Sequence, residues 1–405
     1  MPQNYLQSLI QQQVQDFVFA NEHIDEKVLM LKQKTILGIS TSIIADQLIG
    51  RRKSRYKLPS FYSSRNIIYP PSIYLEQSSS ERTAQFKAEI ISGALNKQKP
   101  LGADLTGGFG VDSLFLSRIF NHLDYIETNE SLLTLATHNH RVLGAGNIDH
   151  HLTSAESFLL STPNHYDFIF IDPSRRTKTN KVVKLAECEP DLIKLLPLIF
   201  EKTDALLVKV SPLLDIQQGV RELPNVDTVF VVAIDNECKE LLFLCRKNEN
   251  DEPKINCINL ASTTNKLREE FSFKLTEERA ITSHFSDPLT YLYEPNVSIL
   301  KAGAFKIVAQ LFNLEKIQMN THLYTSDRLI VNFPGRIFEI KAINPKSDLL
   351  RAHFPNSQAN VLTRNYVLSP DELKKKLKLK DGGDNYLIGF TGLKKKFLVS
   401  ATRIQ

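Results

Sequence analysis

Gly107, Gly108 and Gly110 fall within four positions, between a short apolar run (residues 101–105, LGADL) and a helical pattern that begins at Asp112. Glycine lets the backbone take left-handed turns and lets other atoms approach closely. A strand that passes into a helix through such a cluster is the opening unit of a parallel α/β sheet, not of a hairpin or a helix bundle. The chain keeps that rhythm. DYIET reads as a strand and SLLTLATHNHRVL as a helix; HHLTS and SAESFLL follow, then the strongly apolar strand YDFIFIDP. The helix EPDLIKLLPLIF precedes the strand ALLVKVSP, and the strands VDTVFVVAI and ELLFLCRK close the unit around DNECK. The expected architecture is a doubly wound, mainly parallel sheet whose closing pair supplies one antiparallel edge strand.

At 405 residues the chain is long enough for two to three domains. Residues 1–85 read as helical and basic. In FVFANEHIDEKVLMLKQK, Ile24, Val28 and Leu31 recur at helical spacing, and TSIIADQLIG ends in Gly50, expected as a C-cap. Between Asp46 and Glu76 there is no acidic residue, while Arg51, Arg52, Lys53, Arg55, Lys57 and Arg65 alternate with Tyr56, Phe61, Tyr62, Tyr69 and Tyr74. A further helix, capped near Ser80, leads into the α/β unit at 86–250. Polar KNENDEPK then reads as a linker. Residues 251–325 mix KINCINL with one helix, SILKAGAFKIVAQLF. Residues 326–405 form a small α+β unit with strands DRLIVNF, GRIFEIKAI and ANVLTRNY, the basic helix SPDELKKKLKLK, a turn at Gly382-Gly383, and YLIGF, GLKKKF and LVSATRI.

Composition narrows the class. Hydrophobic residues make up 42% and charged residues 23%, an ordinary globular balance that excludes collagen-like, disordered or disulfide-scaffold chains. The four cysteines form no C-x-x-C pair and have no histidine cluster beside them in sequence, so the expectation is free thiols and no metal. There is no basic n-region followed by an apolar h-region, and no apolar run of membrane-spanning length; the expectation is a cytoplasmic protein with no membrane partner. A net charge of +5 is too mild to identify a nucleic-acid partner by itself.

Two motifs carry chemistry. The first is Asp104-Leu105-Thr106-Gly107-Gly108-Phe109-Gly110, followed at the end of the next strand by Glu127, about 20 residues on, the spacing of a carboxylate that receives ribose hydroxyls. The turn lacks the G-x-G-x-x-G spacing of a pyrophosphate site. An acidic Asp104 suits a positively charged amino-acid moiety better than a pyrophosphate, which favours S-adenosylmethionine over NAD. The second motif is Ile171-Asp172-Pro173-Ser174-Arg175-Arg176 at the end of the most apolar strand. In a doubly wound fold that end faces the same crevice. Asp172 there accepts a hydrogen bond from an amino group and orients its lone pair toward an activated methyl, while Arg175 and Arg176 suit phosphate. Lys209, Ser211 and Asp215 end another strand on that edge.

With these motifs in view, residues 100–247 resemble a class I S-adenosylmethionine-dependent methyltransferase. D-L-T-G-G-F-G-V-D resembles its first motif, and IDPSRR stands where bacterial 16S rRNA guanine-N2 methyltransferases carry a D-P-P-Y-type catalytic motif. Over essentially its full length the chain resembles a bacterial group of methyltransferases with a ferredoxin-like segment and a C-terminal THUMP-like domain, on RRKSRYKLPSFY, EQSSSERTAQFKA, DLTGGFGVD, IDPSRR, YLYEPNVSILKAGAF and LSPDELKKKLKLKDGGDNYL. The resemblance implies a Rossmann-like core, S-adenosylmethionine held by Asp104, Thr106, Gly107, Gly108, Gly110, Glu127 and Ser154, and catalysis by Asp172 and Pro173. It also implies an RNA substrate, rRNA or tRNA, held by Arg175, Arg176, Lys209, Arg51, Arg52 and Lys53.

The chain departs from the pattern in three places. Arg175 replaces the aromatic that would stack on a flipped base, which leaves Phe61, Tyr62 or the Arg plane for that task. Ser154, or Glu156 two residues on, stands where an Asp often contacts adenine. Ser211 stands where a uracil-C5 enzyme needs a Cys. Ser79, Ser80 and Thr83, ahead of the Gly-rich strand, are candidates for the methionine end or for helix capping. Lys374–Lys376, Lys378, Lys380 and Lys394–Lys396 form a second basic region suited to phosphates. The expected reaction is methylation of an exocyclic base amine, guanine N2 foremost. The alternatives are a methyltransferase of a small molecule or protein, and a non-catalytic RNA-binding or ribosome-assembly factor that retains the pocket. Oligomeric state is not fixed by these features.

Overall fold

The computed structural model describes residues 3–95, 97–175, 185–247, 251–263 and 268–405. They divide into two units: residues 1–227 with 242–251, and residues 228–241 with 252–405.

The first unit is built on strands β1 (Leu101–Asp104), β2 (His122–Glu127), β3 (Ile148–Leu152), β4 (Phe168–Ile171) and β5 (Ala205–Val210). All run parallel, in the order β5-β4-β1-β2-β3. Because β1 pairs with both β2 and β4, the winding reverses there, and a crevice opens beyond the carboxyl ends of these two strands. All four residues of β4, FIFI, are buried. That unbroken apolar run is what a parallel strand covered on both faces requires. Strands β6 (Val226–Ile234) and β7 (Glu237–Arg246) form the closing hairpin, with β7 next to β5. Asp235 and Asn236, both at positive φ, make its two-residue turn.

The expected edge strand is corrected. β6 pairs in parallel with β8 (Lys254–Leu260), from Thr228↔Lys254 to Ile234↔Leu260, and β8 pairs antiparallel with β9 (Glu269–Lys274). KINCINL therefore extends the pairing of β6.

The amino-terminal region is helical, with altered registers. Helix α1 spans Gln12–Ala20, and α2 spans Glu26–Lys32 from an Asp25 cap. Leu29 of α2 faces inward, whereas Leu31 is 88% exposed and Val28 is exposed too, because the chain breaks after Ala20 and restarts. Gly50 caps nothing: helix α3 runs from Thr41 through it to Lys57. A Cβ on Gly50 would lie 2.3 Å from the Tyr69 Cβ, so the glycine serves close packing. Helix α4 spans Glu81–Ala94, and Ser80 caps it by accepting from the Thr83 N–H.

In the second unit a seven-stranded sheet has β10 (Tyr291–Pro295), β11 (Glu315–Lys316), β12 (Tyr324–Ser326), β13 (Gly335–Ile343), β14 (Asn360–Arg364), β15 (Asn385–Thr391) and β16 (Lys396–Arg403). Their order is β11-β12-β10-β13-β16-β15-β14. DRLIVNF, expected as a strand, is a turn region after β12, and SILKAGAFKIVAQLF breaks at left-handed Gly303 into helices Val297–Ala302 and Ile307–Leu311. Buried Glu294 of β10 accepts from Arg336 of β13 and from Arg364 Nε of β14 at 2.6 Å, so one carboxylate ties three strands. The basic helix Pro370–Leu377 starts in a capping box at Ser369 and Glu372. Among the described residues no helix is long and apolar enough to cross a membrane.

Candidate active site

A cavity of about 390 Å³ opens at the carboxyl ends of β1 and β4. It is lined by the Gly-rich turn from Leu105 to Asp112, by Glu127, Thr128 and Asn129 after β2, and by Thr153, Ser154 and Ala155 after β3. Asp172 and Ser174 after β4, Glu189 and Pro190, and Tyr74, Gln77, Ser78 and Ser79 ahead of α4 also line it. Its volume lies in the range of small-molecule sites.

The turn is shaped by its glycines. Gly108 and Gly110 lie at φ +58 and +83, the left-handed region where Cβ is costly. A Cβ on Gly107 would sit 2.1 Å from the Tyr125 ring, and one on Gly110 would sit 2.5 Å from His140 Nε2. Tyr125 OH donates to the Gly108 carbonyl at 2.6 Å, and Glu127 accepts from the Gly108 N–H at 2.8 Å and the Asn129 N–H at 2.7 Å. The Glu127 carboxylate is thus oriented before any ligand arrives, with acceptor capacity left over.

His140 Nε2 lies 2.8 Å from the Gly110 carbonyl and its Nδ1 lies 2.9 Å from His150 Nε2. A carbonyl accepts only, so Nε2 carries the proton, and Nδ1 accepts from His150. Burial holds His140 down to about 4, against the pull of the Gly110 carbonyl. The ring is therefore a neutral buttress beneath the turn.

Asp104 differs from the expectation that it faces a ligand. It is 1% exposed and does not line the cavity. Its carboxylate accepts from the Thr106 N–H at 3.1 Å and from the Ser113 hydroxyl, stitching the turn to the following helix, α5 (Val111–Leu116). Burial pushes it up to about 7, against those two hydrogen bonds. The acidic group of this turn that does line the cavity is Asp112. Ser79 Oγ donates to its Oδ2 at 2.7 Å, and the Lys87 ammonium, on α4 and fully buried, lies 3.1 Å from its Oδ1. Neither Asp112 nor Lys87 was singled out from the sequence. Asp112 stood in the quoted D-L-T-G-G-F-G-V-D run, but only the fold brings Lys87 beneath it.

Asp172 opens onto the cavity. Its N–H donates to Thr106 Oγ1 at 2.6 Å, coupling the two motifs, and its Oδ2 accepts from the Lys209 ammonium at the end of β5. Lys209 therefore reaches the site through Asp172. Pro173 is buried beside it. Ser154 lines the cavity at the amino end of helix α6 (Ala155–Ser161), which its Oγ caps by accepting from the Ser157 N–H, while Glu156 is exposed and outside the lining. Asp215 caps a later helix through the Gln218 N–H. Of Arg175 only the backbone is described, paired with Cys188; Arg176 lies outside the described residues.

The expectation that Arg51, Arg52 and Lys53 stand free for nucleic acid is corrected. Arg51 is 7% exposed, donates to Glu22 at 2.6 Å and to the Tyr62 carbonyl, and stacks on Phe19. Arg52 binds Glu26 and the Ile24 carbonyl, and Lys53 binds Glu76. Their acidic partners lie outside the 47–75 window, so counting charges within it overstated the free cations. Phe61 is fully buried against Phe109, and Tyr62 OH donates to Glu22, so neither is a free stacking platform.

The chain matches a protein from Porphyromonas gingivalis W83, provisionally assigned as a methyltransferase, at 30% identity over 100% of both chains with a TM-score of 0.85. This chain belongs to that methyltransferase family. Residues 291–334 match a ferredoxin-like domain family and residues 335–403 a THUMP domain-like family. Over about two fifths of this chain lie an rRNA methylase from Streptococcus thermophilus (14% identity, 40% of this chain, 95% of that one, TM-score 0.31) and a ribosomal protein L11 methylase from Lactobacillus delbrueckii subsp. bulgaricus (13%, 41%, 79%, 0.30). No curated protein sequence matches the chain. The methyltransferase core is Rossmann-like and of class I, and the activity is S-adenosylmethionine-dependent methyl transfer.

Proposed function

We propose that the chain methylates a cytoplasmic RNA, rRNA or tRNA, at an exocyclic base amine, with guanine N2 the favoured atom. The observation that carries this reading is the placement of Asp172, whose carboxylate borders the same cavity as Gly108, Gly110 and Glu127 while its backbone is tied to Thr106. S-adenosylmethionine supplies an activated methyl group that leaves its sulfonium sulfur as a thioether. The cavity's size and its left-handed glycine turn fit such a group. Glu127 would receive the ribose hydroxyls, Thr106 to Gly110 would run beside the ligand, and Ser154 would border the adenine. Asp112, with Ser79, would hold the methionine ammonium, its charge balanced from below by Lys87.

Asp172 accepts one N–H of the acceptor amine and so directs the nitrogen lone pair at the methyl carbon. As the nitrogen accepts the methyl group, the Asp172 carboxylate would take the amine proton and pass it to water. Lys209 anchors Oδ2 and leaves Oδ1 for the amine. No covalent enzyme intermediate is required.

Support for RNA comes from the second unit, where Lys375, Lys376, Lys378, Lys380, Lys394, Lys395 and Lys396 are exposed. The test is transfer of labelled methyl to RNA from cells lacking the protein, followed by mass spectrometry of the nucleosides. The expected result is one methylated base, lost with Asp172→Ala, and RNA affinity that falls steeply with salt. Methyl incorporation into protein or small molecules alone would overturn it in favour of those acceptors. RNA binding without incorporation would leave a binding factor.

A further inference from the structure

We propose that the β2–β3 edge of the first unit holds a divalent transition-metal ion, Zn²⁺ by its donor set, on His122, Asp124 and Asp149, with water in the fourth position. The residues come from two adjacent parallel strands in the register Asp124↔Asp149. Alternate residues of a strand share a face, so H-x-D on β2 and D-x-H on β3 put two imidazoles and two carboxylates on one side.

The spacing of His122, Asp124 and Asp149 is that of ligands around one ion. His122 Nε2 lies 3.5 Å from Asp124 Oδ1 and 3.5 Å from Asp149 Oδ2, and the three donor atoms all lie within 4.8 Å of one another. Metal–ligand bonds of about 2.0–2.2 Å in a tetrahedron give ligand–ligand edges of about 3.3–3.6 Å. His151 Nε2 stands 2.7 Å from Asp124 Oδ1, a hydrogen bond that braces this carboxylate from outside the ligand set.

The surroundings agree. Asp124 is buried, and among the described residues its ion pairs are with imidazoles alone. The hydroxyl of Tyr166 donates to its Oδ2 at 2.7 Å and His151 Nε2 lies 2.7 Å from its Oδ1, whose second lone pair faces the ion; such outer-shell hydrogen bonds orient metal-binding carboxylates. Asp149 is exposed and His122 half-buried, which provides an entry path. Glu127 lies three residues further along β2, about 10 Å away at strand rise. The ion therefore pins β3 to β2 and takes no part in methyl transfer.

The test uses the full chain, stripped with chelator and titrated with Zn²⁺ by calorimetry, with Co²⁺ as the spectroscopic probe. The expected results are one ion per chain, the strong visible bands of tetrahedral Co²⁺, and a thermal midpoint that rises with metal. His122→Ala and Asp149→Asn, both at accessible positions, should weaken binding by about tenfold or more, with apo midpoints unchanged. His23→Ala, at an exposed histidine elsewhere, should leave it intact. No binding, binding indifferent to His122 and Asp149, or an octahedral Co²⁺ spectrum would each overturn the proposal.

Discussion

Asp104→Asn should make the first unit more stable, and increasingly so as pH rises. In the folded chain Asp104 is raised by burial from 3.8 to about 7. A group whose folded pKa is raised contributes most stability below its unfolded pKa and loses it as pH climbs through the folded one. The loss spans roughly pH 4 to 7, and a shift of about three pH units corresponds to about 4 kcal/mol by pH 8. Asparagine fills the same volume. Its Oδ1 accepts from the Thr106 N–H, and its NH₂ donates to Ser113 Oγ, whose hydroxyl rotates to suit. The variant keeps both contacts without the charge. The assay is urea unfolding of both proteins at a series of pH values, following the transition of the first unit. The expected advantage of the variant is smallest near pH 4 and levels off above pH 7. His140 has the opposite sense. Its depressed pKa gives stability that is present above about 6.5 and lost as pH falls toward 4. The variant should therefore show that rising limb, which Asp104 offsets in the parent. A difference between the two proteins that stays constant with pH would refute the account of Asp104 as a buried, charge-penalised stitch.

Gly110→Ala should abolish cofactor binding by calorimetry and cost about 1–3 kcal/mol or more, because φ +83 strains an L-residue and its Cβ meets His140. Glu294→Gln should destabilise the second unit by about 3 kcal/mol, seen as a lower thermal midpoint, because Arg336 and Arg364 lose their shared counter-charge.

Local physics made much of the fold legible. The all-apolar β4, the glycine turn and the strand–helix alternation read correctly, since each depends on residues adjacent in sequence. So did the crevice that gathers Gly108, Glu127 and Asp172, because parallel winding sends those strand ends to one side. The edge-strand expectation failed because KINCINL extends β6 from beyond a polar linker. Gly50 misled because a glycine that ends a helix and one that admits a tyrosine ring look alike in one dimension.

What the sequence determined by itself is therefore the backbone of the first unit: where strands turn into helices, and which turn has left-handed residues. Those are properties of neighbouring φ/ψ preferences and apolar periodicity. What only the tertiary structure decided is the state of each charge. Arg51, Arg52 and Lys53 found Glu22, Glu26 and Glu76 from outside their own stretch. Asp104 lost water while Asp112 kept the cavity with Lys87 beneath it, and Lys209 met Asp172 across two strands. A charge takes its energy from its surroundings in space, through desolvation and the nearest opposite charge, and sequence neighbours supply neither.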